Sequence, residues 1–332
     1  MNRCDYRIHG RRLTVVGRDA STAGVLDEVF AAHRAPAGPE EPDLHLEIAH
    51  GLGTGLPDSG AFLGVAADGT RFSEAASGGV LIETDGVGWA GVDPDAGRAR
   101  VHLDDGAAVE AWQQVYRLLD PVVVELLKAQ ALYSVHAGAV AVGDDAMLLC
   151  GGSGSGKTTL SLAMARRGWG FLGDDTCYLD GHARGDGPVV GARWSPLHLT
   201  DATLEALLPH GSRDRAERRR GAGKWFVPVH AVEGLVPVER ARVRWVVFPE
   251  IHDADASICE RLSPSAAMRL LLKQSLVPSD RSTSQRQFDA LARVCEAVSC
   301  YRMRLGADLV EATDRLRALA RERADGGAAR RL

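Results

Sequence analysis

Lysine is almost missing from this chain. Lys128, Lys157, Lys224 and Lys273 are the whole complement, whereas arginine is abundant. The arginine excess resembles the coding bias of a GC-rich genome and carries little meaning. It does make lysine at 157 and 224 a pointed choice. No stretch of 18 apolar residues occurs, so no membrane-spanning helix is expected and no membrane partner. No apolar core of signal-peptide length follows Met1, so no export signal is expected. Cysteines stand at 4, 150, 177, 259, 295 and 300, and none forms a C-x-x-C pair. Cys150 and Cys177 lie in apolar, strand-like runs. They read as buried reduced thiols, and a cytoplasmic location is the expectation. The net charge of -5 argues against a dedicated nucleic-acid binder. The remainder is globular in composition, with 45% hydrophobic and 25% charged residues.

The first 105 residues alternate short strand-like runs with turns. Tyr6–Val16 reads as a hairpin around Gly10, and Ala20–His33 as a helix. Asp43–Ile48, Val80–Thr84 and Arg98–Leu103 alternate like half-buried strands. Ala35–Pro42 and Gly51–Gly60 are Pro/Gly-rich loops. No chemical constellation stands out, and 1–105 is expected to be an accessory α/β domain. A long helix is expected over Ala107–Ala131, kinked or divided at Pro121. Strands are expected at Ser134–Val142, Ala146–Cys150 and Trp169–Leu172. Later come strand-like runs at Arg193–Leu199, Trp225–Val229, Val243–Phe248 and Cys300–Leu305. Helical patterns lie near Ala202–Leu208, Ala266–Leu276, Gln285–Val298 and Ala307–Arg323. Residues 106–324 form the expected second domain, and 325–332 a frayed tail.

The most informative stretch is Gly151-Gly152-Ser153-Gly154-Ser155-Gly156-Lys157-Thr158-Thr159. It contains G-x-x-x-x-G-K-T between an apolar strand and a helix, the context that a phosphate-cradling P-loop requires. The glycines let backbone N–H groups converge on an anion, and the helix adds its positive end. Lys157 would reach the β- and γ-phosphates of ATP, and the Thr158 hydroxyl would ligate Mg²⁺. Asp174 and Asp175 end the next strand. A helix over 158–167 is about 15 Å long. A strand returning parallel to the first would therefore deliver both carboxylates to the phosphates. One could bind Mg²⁺ and the other accept a hydroxyl proton. Asp pairs in turns are common, and Asp144-Asp145 is one here. His136, alone, reads as a core histidine. Lys224 is a candidate second cation near the phosphates, weighed against an ordinary surface lysine. The basic run Arg213–Arg220, within a loop expected at 210–223, reads as a solvated helix end or loop rather than a substrate guide.

Ser134-Val135-His136, the glycine loop and Arg167-Gly-Trp-Gly-Phe-Leu-Gly-Asp-Asp175 together resemble the HPr kinase/phosphorylase-related kinases. That group includes HPr-kinase-like P-loop kinases associated with lasso and other ribosomal peptides. Trp194–Leu199, Gly223–Pro228 and Val298–Leu305 resemble further segments of it. The resemblance implies an α/β fold: an HPr-kinase/PEP-carboxykinase-like P-loop C-terminal domain behind an accessory N-terminal domain. It implies Asp175 as proton acceptor, His136 and Lys157 as active-site groups, and Thr158, with Asp174, on Mg²⁺. The expected activity is transfer of the ATP γ-phosphate to a Ser or Thr hydroxyl of a peptide or protein. The Glu-x-Arg-Gly-x-Gly signature of authentic HPr kinases is absent, so HPr is not the expected substrate. A small hydroxylated metabolite as acceptor, a carboxykinase reaction and a non-catalytic ATP sensor are the rival readings. A homo-oligomer is left open.

Overall fold

The computed structural model describes residues 1–38, 41–51, 56–66, 68–76, 78–104, 111–183, 187–219, 223–253, 256–275 and 278–328. Parts of both Pro/Gly loops, the expected helix start at 107–110, Arg220 and the end of the expected tail lie outside these. The protein is a mixed α/β chain that divides into two units. One comprises Met1–Ser134, Trp194–Pro196 and Leu276–Phe288; the other comprises Val135–Arg193, Leu197–Ser275 and Asp289–Leu332. The expected boundary at 105 falls inside the first unit.

The first unit holds a sheet of nine strands among the described residues, most of its pairs antiparallel. It opens with the hairpin Asn2–Ile8 and Arg11–Gly17. His9 and Gly10 both have positive φ, 48° and 80°, which matches the tight turn that suits the strand twist. The expected helix at 20–33 is broken. Ala20–Ala23, capped by the Asp19 carboxylate, ends at Gly24, and Asp27–Phe30 follows separately. Gly24 explains the break, since glycine is a poor helix interior residue. The helical segment at 111–129 is not divided at Pro121. The irregularity is a wider π turn at Val115–Leu119 just before it, and the Arg117 carbonyl, which Pro121 has no N–H to serve, accepts instead from the Thr70 and Thr84 hydroxyls, each at 3.1 Å. Val115, Leu118, Leu119, Val122, Val123, Leu126 and Leu127 are all buried, the helical spacing of a core-facing stripe.

In the second unit, Ala137–Val142 pairs antiparallel with both Asp145–Cys150 and Gly170–Gly173. Those two strands therefore run in the same direction, with Ala137–Val142 between them. On its other side Asp145–Cys150 pairs parallel with Arg240–Ile251, which pairs parallel with Ser299–Leu305. The expected single strand at 134–142 is interrupted at His136, whose backbone N–H is given to the Gln274 carbonyl at 2.7 Å. Leu160, Met164, Met147, Leu149, Trp245, Val247, Met303 and Leu316 share one core cluster, so the helix Lys157–Ala165 is fastened to the sheet by its apolar face. The last helix, Leu309–Ala328, runs past 325, where a tail was expected. The expected loop at 210–223 contains a helical turn, His210–Arg213, and a short strand, Glu217–Arg218, in a three-stranded sheet with Trp225–Val227 and Leu197–Leu199. Three of its arginines are engaged. Arg213 donates to the Leu208 carbonyl, Arg218 pairs with Asp201 at 3.2 Å and lies over Trp225, and Arg219 lies over Phe226. Among the described residues no helix is long and apolar enough to cross a membrane.

The helix Lys157–Ala165 packs tightly on the sheet at Gly138. A Cβ there would lie 2.2 Å from the Ser161 Oγ, and Ser161 is fully buried. Gly138→Ala is therefore expected to lower stability by about 1–3 kcal/mol, read as a fall in Tm. Adding Ser161→Ala should recover most of the loss. Additive losses in the double variant would count against this contact as the cause.

Candidate functional site

The strand directions bring three chain segments to one sheet edge. Asp145–Cys150 and Gly170–Gly173 end there, and Ala137–Val142, running the other way, begins there. Ala137 pairs with Cys150 and Ala139 with Gly173. His136, the glycine loop and the Asp174-Asp175 pair follow or precede those strands by one residue, so they must meet. The return of Gly170–Gly173 parallel to the first strand is as the sequence suggested, with an intervening strand that it did not suggest.

The loop turns through Gly154 and Gly156, at φ of 81° and 94°. These are left-handed conformations that strain any residue with a Cβ. The Lys157 ammonium folds back onto the carbonyls of Gly151 at 2.7 Å and Gly152 at 3.0 Å. Burial lowers its pKa, opposed mainly by Asp175. The Ser155 Oγ is buried against Gly151 without a hydrogen-bond partner among the described residues. Gly152, Ser153 and Gly154 form the exposed crest. Thr158 donates a side-chain hydrogen bond to Asp174. Thr159 is engaged elsewhere, its Oγ1 3.2 Å from the Thr203 Oγ1.

The two adjacent carboxyls are in opposite electrostatic states. Asp174 is 3% exposed, and burial, reinforced by the Asp175 charge, pushes its pKa up to about 7. Burial also raises Asp175, but His136, Arg193, His198 and Lys157 together outweigh it and hold that carboxyl below its ordinary value. The His136 Nδ1 lies 3.3 Å from the Asp175 Oδ1. Burial lowers the His136 pKa, and Asp175 only partly offsets it. Lys224 is exposed, and its charge acts on His136, Lys157, Asp174 and His198.

Arg193 and His198 were not singled out from the sequence. Arg193 is 3% exposed, and its carbonyl packs against Gly173. His198 packs on Phe226, 4.4 Å between ring centroids, and burial pushes its pKa down to about 4. The only signal was their place in a strand-like run soon after the Asp pair. His198 is held by the pairing of Leu197–Leu199 with Trp225–Val227, a non-local contact, whereas Arg193 lies between that strand and Val189–Gly191 with its carbonyl against Gly173.

The residues present suit magnesium. Among the described residues there is no cluster of three or more His, Cys, Asp or Glu side chains able to hold a metal. Magnesium needs none: it takes one or two carboxylates and completes its shell with phosphate oxygens and water. Asp174, buried and bonded to the Thr158 hydroxyl, is one such carboxylate beside the loop.

No protein-family model matches the chain, and no curated protein matches it. Among solved structures, the Hpr(Ser) kinase/phosphatase from Coxiella burnetii is similar at 14% identity, over 57% of this chain and 98% of that one, with a TM-score of 0.30. The likeness is slight.

Asp174 has a measurable consequence without any ligand. Its folded-state pKa, about 7, lies above the model-peptide value of 3.8. Between those values the folded protein holds a proton that the unfolded chain has released, so stability falls as pH rises through that window. Asp174→Asn should therefore raise Tm by several degrees at pH 8, with the gain vanishing toward pH 4, in the absence of nucleotide and divalent cation. A variant less stable than the parent at both pH values would make Asp174 a structural residue instead.

Proposed function

We propose that the protein is an ATP-dependent kinase with an HPr-kinase-like P-loop unit, acting on a Ser or Thr hydroxyl of a peptide or protein. The observation that carries the phosphotransfer reading is the meeting of His136–Asp175, at 3.3 Å, with Lys157 and the Thr158–Asp174 pair at one sheet edge. The acceptor class comes from the family resemblance of the sequence alone.

In this reading the loop Gly151–Thr158 cradles the triphosphate by its backbone N–H groups, and the start of the helix faces the negative charge. Lys157 exchanges its carbonyl contacts for the β- and γ-phosphate oxygens. Thr158 and Asp174 hold magnesium, which supplies charge neutralisation of those oxygens. Asp175 orients the acceptor hydroxyl and takes its proton. The hydroxyl oxygen bonds to the γ-phosphorus as the bond from that phosphorus to the β–γ bridging oxygen breaks, releasing ADP. A carboxylate held below its usual pKa is a weak base. That is sufficient where the transition state is loose and the hydroxyl proton leaves late. His136 fixes the Asp175 orientation, and Lys224 adds positive charge at the open side of the site.

Lys157→Ala should lower phosphoryl transfer at least about 100-fold, followed as radiolabel passing from γ-labelled ATP to a peptide library, with mass spectrometry for the phosphate. Retention of most activity would place the reaction elsewhere. Asp175→Asn should keep ATP affinity within a few-fold while transfer falls by about 100-fold or more. If Asp174→Asn alone abolishes transfer and Asp175→Asn does not, the two roles are exchanged.

A further inference from the structure

The strand Arg240–Ile251 is longer than the loop strand beside it. Their register, Met147 with Trp245 and Leu149 with Val247, leaves the last residues of Arg240–Ile251 beyond Cys150. The Pro249 carbonyl lies 3.4 Å from where a Gly151 Cβ would be, so Pro249 stands level with the mouth of the loop. Two residues further on, about 7 Å at strand rise, comes Ile251. It is 69% exposed, among the most exposed large apolar side chains of the described chain.

Side-chain direction alternates along a strand. Trp245 and Val247 face the core beneath the helix Lys157–Ala165, so Ile251 points to that same face. Its parallel partner there is Leu305, also of that core, and Leu305 abuts the loop: its Cδ2 would lie 2.8 Å from a Cβ at Gly156. Gly156, the buried Leu305 and the exposed Ile251 thus lie in line from the phosphate cradle outward. This line is apolar where the adjoining site is charged. Ligands of open α/β sheets bind beyond the carboxyl ends of the strands. Leu305 and Ile251 stand at the carboxyl end of two parallel strands next to the loop.

We infer that the nucleoside part of the nucleotide lies over the end of these strands, with its base covering the Ile251 side chain. This rests on the reading that the triphosphate occupies the loop. The occupant follows from continuity: a ligand whose charged end sits at Gly151–Lys157 carries its apolar ring within reach of Ile251. An aliphatic wall contacts a ring face without reading its hydrogen-bonding edge, so Ile251 contributes affinity and not base identity.

Isothermal titration of the full chain with Mg-ATP and with magnesium tripolyphosphate, which has no nucleoside, tests this. Ile251→Ser should weaken Mg-ATP by about tenfold and leave tripolyphosphate unchanged. Ile251→Phe should restore or tighten ATP binding. Equal weakening of both ligands, or no effect on either, overturns the inference while leaving the phosphate site standing. Wild-type protein that binds neither ligand overturns the phosphate-site reading, and this inference with it. Ile251 is exposed, so the variants are expected to fold normally, and their Tm checks that.

Discussion

One strand running against its two neighbours organises the whole candidate site. Because Ala137–Val142 lies antiparallel between Asp145–Cys150 and Gly170–Gly173, its beginning and their endings share an edge. Three stretches of chain, each carrying a different kind of group, are therefore delivered to one place by hydrogen-bond geometry alone. The imidazole comes from the strand that starts there. The cradle and its cation follow one strand that ends there, and the carboxyls follow the other. The helix Lys157–Ala165 supports the arrangement from one face, and the absence of a side chain at Gly138 sets how near it can come.

The adjacent carboxyls show how little sequence separation is needed to divide labour. Asp174 faces inward and is desolvated, while Asp175 sits among His136, Arg193, His198 and Lys157. A carboxyl that is reluctant to ionise in isolation gains most from a cation. A neighbour already ionised can receive a proton when one is released. The same backbone turn thus presents two groups of equal chemistry and unequal readiness. Each compensating charge comes from a different segment of the chain.

Much of this was legible in the sequence, and the failures have physical causes. The glycine loop, its helix and the returning Asp pair are local, and glycine spacing with apolar runs reads them correctly. The strand at 240–251 was expected only over its apolar middle; the alternation of Arg240, Arg242 and Arg244 with Ala241 and Val243 does mark its start, and only its end at Glu250-Ile251 carries no such pattern. The break at His136 is invisible locally, since it depends on a backbone bond to Gln274. The basic run at 213–220 reads as a loop from composition. Within it, Arg218 and Arg219 make ion-pair and cation–aromatic contacts to Asp201, Trp225 and Phe226 that composition does not mark. Arg193 and His198 escaped for a similar reason: only non-local packing tells which buried cation stands beside Asp175.

The thiols next to this machinery have a different bearing. All six cysteines are free, and Cys150, at the end of the strand before the loop, and Cys177, at the start of the strand Cys177–Asp180 just after the Asp pair, are fully buried. Burial pushes both thiols far up in pKa, and the Cys177 Sγ is occupied with the Ala137 carbonyl. In the closed sheet they are shielded from electrophiles and scarcely populate the thiolate that alkylating reagents attack. Each becomes reactive only when its strand opens. The native chain therefore carries its own stopwatch for breathing of the central sheet, with no label to be engineered in.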